Sequence, residues 1–222
     1  VGLMGTSLAR HLLAAGFAVT VHDLDRAKVE AIVKEGGKKA DSPDRIASQV
    51  DVIMLSLPNS HIVNEVVKDT LRLFETGRKG LVVIDTSTPD PEMSAQLAAQ
   101  LGEKGIEMLD ATISGTSEMF AEKDAIFLVG GKEAVFKACE PIFSVMSKHA
   151  FRMGDHGAGA KTKLVTNLVL TLNRMALAEG LTLAKKAGLD RLQTLEVLKK
   201  SAAYSRAMDQ KGLRMVNKQF LP

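Results

Sequence analysis

The stretch VGLMGTSLARHLLAAGFAVTVHD, Val1 to Asp23, decides the fold. Gly2 and Gly5 run into a helical pattern over Thr6–Ala15, and Gly16 closes it as glycine does beyond a helix C-terminus. Ala18–His22 is a short β-type run ending in an acid, Asp23. Glycine pair, helix, strand, then an acid about 20 residues on, is the spacing of the second half of a dinucleotide-binding βαβ fingerprint. On that reading Gly2 lets the backbone approach a pyrophosphate and Gly5 lies where helix packs on strand. Leu3 and Met4 fill the same cofactor-binding turn. Asp23 would accept hydrogen bonds from the adenosine ribose hydroxyls and repel a 2′-phosphate, which argues for NAD over NADP. Arg26 stands close enough to soften that preference and keep NADP possible. The plain alternative is a strand, turn and helix with glycine punctuation. No initiator methionine precedes Val1, so the fingerprint's first glycine and its strand are expected upstream, and the sequence reads as the interior of a longer chain.

Working outward, the alternation continues. Arg26–Glu35, Pro43–Gln49, Ser60–Asp69, Pro91–Lys104 and Lys132–Val145 read as helices. Val52–Leu57, Leu81–Ile84, Glu107–Leu109 and Ala125–Val129 read as short buried strands. Short apolar runs alternating with helices imply a mostly parallel sheet covered on both faces. Ligands bind such sheets beyond the carboxyl ends of the strands, where Leu57-Pro58, Thr86–Thr88 and Thr112–Gly115 fall. At Met153–Gly159 glycines and a histidine interrupt the pattern, and the remainder reads helical. The expected organisation is α/β: a Rossmann dinucleotide-binding domain over 1–153, then an all-α domain over 154–222 entered through a long buried helix.

That helix begins in Gly157-Ala-Gly-Ala-Lys-Thr-Lys-Leu-Val-Thr-Asn167. Its apolar residues, among them Leu164, Val165, Leu168, Val169 and Leu172, occupy more than one face, the mark of a buried helix. Lys163 and Asn167 stand four apart and share a face. A lysine and an asparagine together on an apolar helix need a polar partner, or they cost stability. The plain alternative is that Lys163 reaches solvent and Asn167 caps a neighbour.

Bulk properties exclude several classes. The 222 residues are 45% hydrophobic with a net charge of +3, enough for a core and without the clustered basic stripe of a nucleic-acid binder. The single cysteine, Cys139, rules out a disulfide framework and reads as a buried structural thiol. No apolar run reaches the roughly 18 residues of a membrane helix. The acids and five histidines show no ligand-like spacing, so no metal is expected. Cytoplasmic residence is the expectation; a mitochondrial leader is compatible with a start that lacks methionine.

Several motifs now coincide in order, and the chain resembles the β-hydroxyacid dehydrogenase family, of the 3-hydroxyisobutyrate dehydrogenase type. The family's Gly-x-Gly-x-Met-Gly looks like Gly2-Leu-Met-Gly5 without its first glycine. Its Leu-Pro looks like Leu57-Pro58, and its Asp-x-Ser-Thr like Asp85-Thr-Ser-Thr88. Its substrate loop Asp-Ala-Pro-Val-Ser-Gly-Gly is similar to Asp110-Ala-Thr-Ile-Ser-Gly-Thr116. Its Gly-x-Gly-x-x-x-Lys with a following asparagine matches Gly157, Gly159, Lys163 and Asn167. Thr112, Thr116, Thr166 and His11 depart from the pattern, so the surroundings of the substrate differ more than the chemistry. Family members also continue past Pro222 into further helices that carry another cofactor-contacting lysine.

The resemblance implies hydride transfer between NAD, with NADP possible, and the carbinol carbon of a small 3-hydroxy acid. Lys163 would be the general acid/base and Asn167 would orient the substrate or the lysine. Ser114, Gly115 and Thr116 would hold the substrate carboxylate, and Leu57, Pro58 and Thr88 would line the cofactor. His156, beside this run, is a weaker candidate base. The nearest competitor is a reductase of small aldehyde acids such as succinic or tartronic semialdehyde. A non-catalytic dinucleotide-binding protein and an imine reductase rank lower, because their branches usually lack this lysine. Apolar surface left over on the long helix implies a homodimer or homotetramer.

Overall fold

The helix that follows the opening glycines is α1, Leu3–Ala14, in a computed structural model that describes residues 2–219. Val1 at the head of the glycine motif, and the last three residues of the helical reading to Pro222, lie outside the described residues. In order come β1 (Thr20–Val21), α2 (Arg26–Lys34), β2 (Lys38–Lys39), α3 (Ile46–Gln49), β3 (Val52–Leu55), α4 (Ser60–Glu65), α5 (Leu73–Thr76), β4 (Val82–Asp85) and α6 (Pro91–Glu103). Then follow β5 (Glu107–Ser114), α7 (Ser117–Ala121), β6 (Ile126–Gly130), α8 (Glu133–Met146), β7 (His149–Gly154), α9 (Ala158–Lys186), α10 (Arg191–Lys200) and α11 (Leu213–Val216). The chain divides into two compact units, Val1–Lys163 and Leu164–Pro222, and the division falls inside α9.

In the first unit, β1 and β2 form a parallel pair, and β3-β4-β5-β6-β7 form a separate five-stranded sheet. The larger sheet is parallel except between β5 and β6. Its residues alternate between two cores. Ile53, Leu55, Val83 and Met108 meet Leu97 and Leu101 of α6 on one face. Ile84, Leu109, Ala111 and Phe127 meet Leu8 of α1 and Phe136, Cys139 and Phe143 of α8 on the other. Helices therefore cover both faces, and Cys139 is buried as its apolar context implies.

In the larger sheet, β5 and β7 differ from the sequence reading. β5 does not stop at Leu109; it runs to Ser114, because antiparallel β6 pairs with Asp110–Ser114 and supplies their backbone hydrogen bonds. Thr112 is thus wholly buried in mid-strand and not in a loop beyond a strand end. The edge strand β7 has no apolar run; its side chains only alternate between exposed and half-buried, so it left no signal in a search for buried strands.

The second unit packs Leu177 and Leu181 of α9 against Leu195 of α10 and Met208. The expectation of a buried long helix needs correction here. Leu164, Val165, Leu168 and Leu172 are each more than half exposed. Apolarity all round shows that α9 can be buried; among the described residues, α10 and Met208 pack on its Leu177–Leu181 stripe. Among the described residues no helix is long and apolar enough to cross a membrane.

Candidate active site

Gly2 is the N-cap of α1 and supplies no side-chain cap, and the first turn carries no acid. The first amides of a 12-residue helix are thus left for an anion, the setting in which helix N-termini take phosphate. A Cβ on Gly2 would meet nothing within 4 Å among the described residues. Leu3 is 79% exposed beside it, while Met4 packs inward on the core. A Cβ on Gly5 would lie 3.8 Å from the Cβ of Ser56, which sets the start of α1 against the segment following β3.

The segments after β3 and β4 are stitched together. Thr86 donates from its amide and its hydroxyl to the Leu55 carbonyl, at 2.8 and 2.7 Å. The Leu57 amide donates to Ser87 Oγ at 3.0 Å, and the Asp90 amide to Ser60 Oγ at 2.6 Å. Leu57-Pro58 and Ser87-Thr88 therefore form one ledge, on which Thr88 is exposed. Asp90 caps α6 by accepting from the Glu92 and Met93 amides, so Thr86–Thr88 are not needed as a cap.

Asp23 follows β1 and accepts the Asp25 amide at 2.8 Å. It lines a cleft with His22, Arg26, Glu30, Lys39 and Asp41. Cations and acids share that cleft.

The start of α9 rests on β5. Asp110 is wholly buried; its Oδ1 accepts the Gly157 amide at 2.8 Å and its Oδ2 the Ala160 amide at 3.0 Å. A carboxylate on a helix N-terminus answers both the orphan amides and the helix dipole. Burial nevertheless pushes its pKa up, against those two amides. A Cβ on Gly159 would lie 2.4 Å from the Leu128 carbonyl oxygen and 2.7 Å from that of Asp110. A Cβ on Gly157 would lie 2.7 Å from the Pro91 carbonyl oxygen. The two glycines of the Gly157-x-Gly159 motif thus let the helix start lie directly on neighbouring backbone. Lys163 follows one turn after Gly159, half-buried, and burial pulls its amine below the ordinary lysine pKa. Asn167 stands a further turn along the same helix and is exposed.

Ser114 closes β5 half-exposed, and Gly115 has φ +156° with a virtual Cβ 2.6 Å from that of Ala125. Any other residue at Gly115 would both strain and collide. Thr116 is the N-cap of α7, accepting the Met119 amide at 3.3 Å. α7 is tied to α1 by His11, whose Nε2 lies 2.9 Å from the Phe120 carbonyl oxygen and whose ring meets Phe120 edge-on. His156 donates from Nε2 to the Met108 carbonyl at 3.0 Å, which ties that edge of the ring to the β5 backbone.

The sequence reading took Asp110 and Thr112 only as letters of a motif. Their period-2 alternation with the apolar Ala111 and Ile113 was the available signal of a strand that aims both at one neighbour.

Comparisons with known proteins identify the family. Residues 1–154 match the family model of the NAD binding domain of 6-phosphogluconate dehydrogenase. Residues 157–222 match that of the NAD-binding domain of NADP-dependent 3-hydroxyisobutyrate dehydrogenase. The chain is 36% identical, over 95% of its length and 70% of the relative's, to 2-(hydroxymethyl)glutarate dehydrogenase of Eubacterium barkeri. It is 33% identical, over its full length and 66% of the relative's, to a 3-hydroxyisobutyrate dehydrogenase-like mitochondrial protein of Arabidopsis thaliana. Its fold superposes on Mycobacterium tuberculosis 3-hydroxyisobutyrate dehydrogenase, solved with L-serine, with a TM-score of 0.90 at 25% identity, over all of this chain and 77% of that one. The chain belongs to the NAD(P)-dependent β-hydroxyacid dehydrogenase family of the 3-hydroxyisobutyrate dehydrogenase type.

Proposed function

We propose that this protein oxidises the primary alcohol of 2-substituted 3-hydroxypropanoates, with Lys163 as general acid/base. The observation that carries the reading is Lys163 itself. It is a half-buried lysine with a lowered pKa, one turn beyond a helix start that is seated on the backbone of the sheet. A lysine serves as a base near neutral pH only when its pKa falls, and desolvation lowers it. The names of relatives support the substrate class: hydroxymethylglutarate, hydroxyisobutyrate and serine all carry HOCH2 beside a carbon bearing a carboxylate.

The α1 amides around Gly2, Leu3 and Met4 fit a pyrophosphate, Asp23 a ribose, and the Leu57-Pro58 and Thr88 ledge the nicotinamide half. The bound dinucleotide supplies the acceptor for the hydride that leaves the carbinol carbon. Neutral Lys163 takes the hydroxyl proton as the carbonyl forms, and Asn167 orients the group by hydrogen bonding. Ser114 and the Gly115 amide hold the substrate carboxylate. Thr116, whose hydroxyl accepts from Met119, still has a proton to donate. In reverse, protonated Lys163 returns that proton to the aldehyde oxygen, as a reductase of small aldehyde acids requires.

The test is reduced-nicotinamide absorbance with the full-length protein, NAD or NADP, and a panel of 2-substituted 3-hydroxypropanoates. Turnover that collapses in Lys163→Met is expected. Turnover that survives the substitution moves the base elsewhere. The exposed face Leu164–Leu168–Leu172 of α9 supports a homodimer or homotetramer, and light scattering that finds only monomer refutes it.

A further inference from the structure

Thr112 is wholly buried on β5, two residues after Asp110 and on the same face of the strand. Its Oγ lies 3.2 Å from the Gly159 carbonyl oxygen and 3.4 Å from that of Leu128. The hydroxyl has one proton, and the shorter contact takes it. The α-helical pattern brings a second donor to the Gly159 carbonyl, because residue i−4 of Lys163 is Gly159. The Lys163 amide and the Thr112 hydroxyl therefore meet on one oxygen, one on each lone pair.

We propose that Thr112 is a positioning residue for Lys163, fixing the height of the first turn of α9 through the Gly159 carbonyl. This rests on the assignment of Lys163 as the acid/base. Asp110 and Thr112 divide the work: the carboxylate holds the amide ends of Gly157 and Ala160, and the hydroxyl holds a carbonyl in the same turn. Asp110 alone fixes where the helix begins. It leaves the turn able to tip about the two amides, and Thr112 blocks that tipping. No side chain cushions this contact, since the Gly159 Cβ position is 2.4 Å from the Leu128 oxygen. A shift of the turn passes straight to the residue four on. Misplacing a reacting group by about 1 Å can cost on the order of 100-fold in rate.

The decisive variant is Thr112→Val, which keeps the shape and removes the proton. Thr112→Ser restores the proton. The expected result is about a 10-fold fall in kcat for Thr112→Val, with KM for the dinucleotide within about twofold. Thr112→Ser returns kcat to near the original. In hydrogen exchange, amides 158–163 quicken in Thr112→Val while those of 177–186 do not. Unchanged kcat and exchange overturn the proposal. Faster exchange with unchanged kcat also overturns it, because Thr112 then holds the turn without positioning Lys163. If Thr112→Val does not fold, Thr112→Ser against Thr112→Ala, which differ only in the hydroxyl, makes the same comparison. If the unaltered protein turns over no acid, the acid/base assignment fails separately, and unchanged exchange in the variant then sinks the clamp as well.

Discussion

Asp85 and Asp110 occupy paired positions on the neighbouring parallel strands β4 and β5, and both are fully excluded from solvent. Burial pushes both carboxyl pKa values up, and for Asp85 the charge of Asp110 adds to it. Asp110 has two amides to answer its charge. Asp85 has the Ser87 amide at 2.9 Å on Oδ1, whereas its Oδ2 has no hydrogen-bond partner among the described residues. The two side chains should therefore respond oppositely to neutralisation.

For Asp85→Asn the expectation is stabilisation at alkaline pH. A carboxyl with a raised folded pKa favours folding while protonated, below the ordinary carboxylate range, and loses that contribution as pH rises through the folded value. Removing the charge should add about 1 kcal/mol, or roughly 2–4 °C in Tm. Thermal melts near pH 8 and near pH 4 check it. The gain should shrink at the lower pH, and a uniform loss at both would refute the reading.

Asp110→Asn should destabilise instead. The amide offers one acceptor where two are needed and turns a donor toward the start of α9. A lost cap and charge–dipole interaction cost about 1–2 kcal/mol. Urea unfolding measures this, and hydrogen exchange should show the loss concentrated at 158–163.

Lys163 should leave its mark on the pH profile. Burial lowers its pKa from the ordinary 10.5. Oxidation needs the neutral amine, so kcat/KM for the alcohol should rise with pH through a value below 10.5. Reduction of the aldehyde should fall through the same limb. Lys163→Met should lose about 100- to 10,000-fold in kcat and the limb with it, while dinucleotide binding by calorimetry stays the same.

Asp23 should govern cofactor choice. Asp23→Asn removes the repulsion of a 2′-phosphate and leaves Arg26 and Lys39 in the same cleft. The NAD to NADP ratio of kcat/KM should fall by about 10-fold or more, since a charged hydrogen bond is worth roughly 1.5–3 kcal/mol. An unchanged ratio would remove Asp23 from the ribose site.

Gly2 and Gly159 should separate ligand from fold. A Cβ on Gly2 meets nothing within 4 Å among the described residues, whereas one on Gly159 lies 2.4 Å from a carbonyl oxygen. Gly2→Ala should keep the original Tm and bind dinucleotide at least about 10-fold more weakly, if a pyrophosphate lies close to that backbone. Gly159→Ala should lower Tm by several degrees. Calorimetry on both variants decides, and a Gly2→Ala protein with intact binding would move the pyrophosphate elsewhere.

Much of the fold was legible along the chain because its signals are local. The glycines before α1, the acid after β1 and the run of short strands between helices are set by neighbours a few residues away. Elements whose cause is remote were not legible. β5 extends past Leu109 because β6 pairs with it, and β7 is a strand only by virtue of β6 beside it. The site was half legible. Lys163 and Asn167 could be singled out as candidates from their spacing read together with the motifs before them, whereas the contacts of Asp110 and Thr112 with the start of α9 could not.

By itself the sequence determined the class of the fold, the family, and the helix that carries Lys163. Helical and strand periods, turn residues and motif spacing are properties of the chain. The tertiary structure alone decided how that helix is held. Asp110 and Thr112 reach its first turn from 47 positions away, through a buried carboxylate and a buried hydroxyl. It also decided which face of α9 is covered: apolarity states what a surface can bury, and only packing supplies a neighbour to bury it.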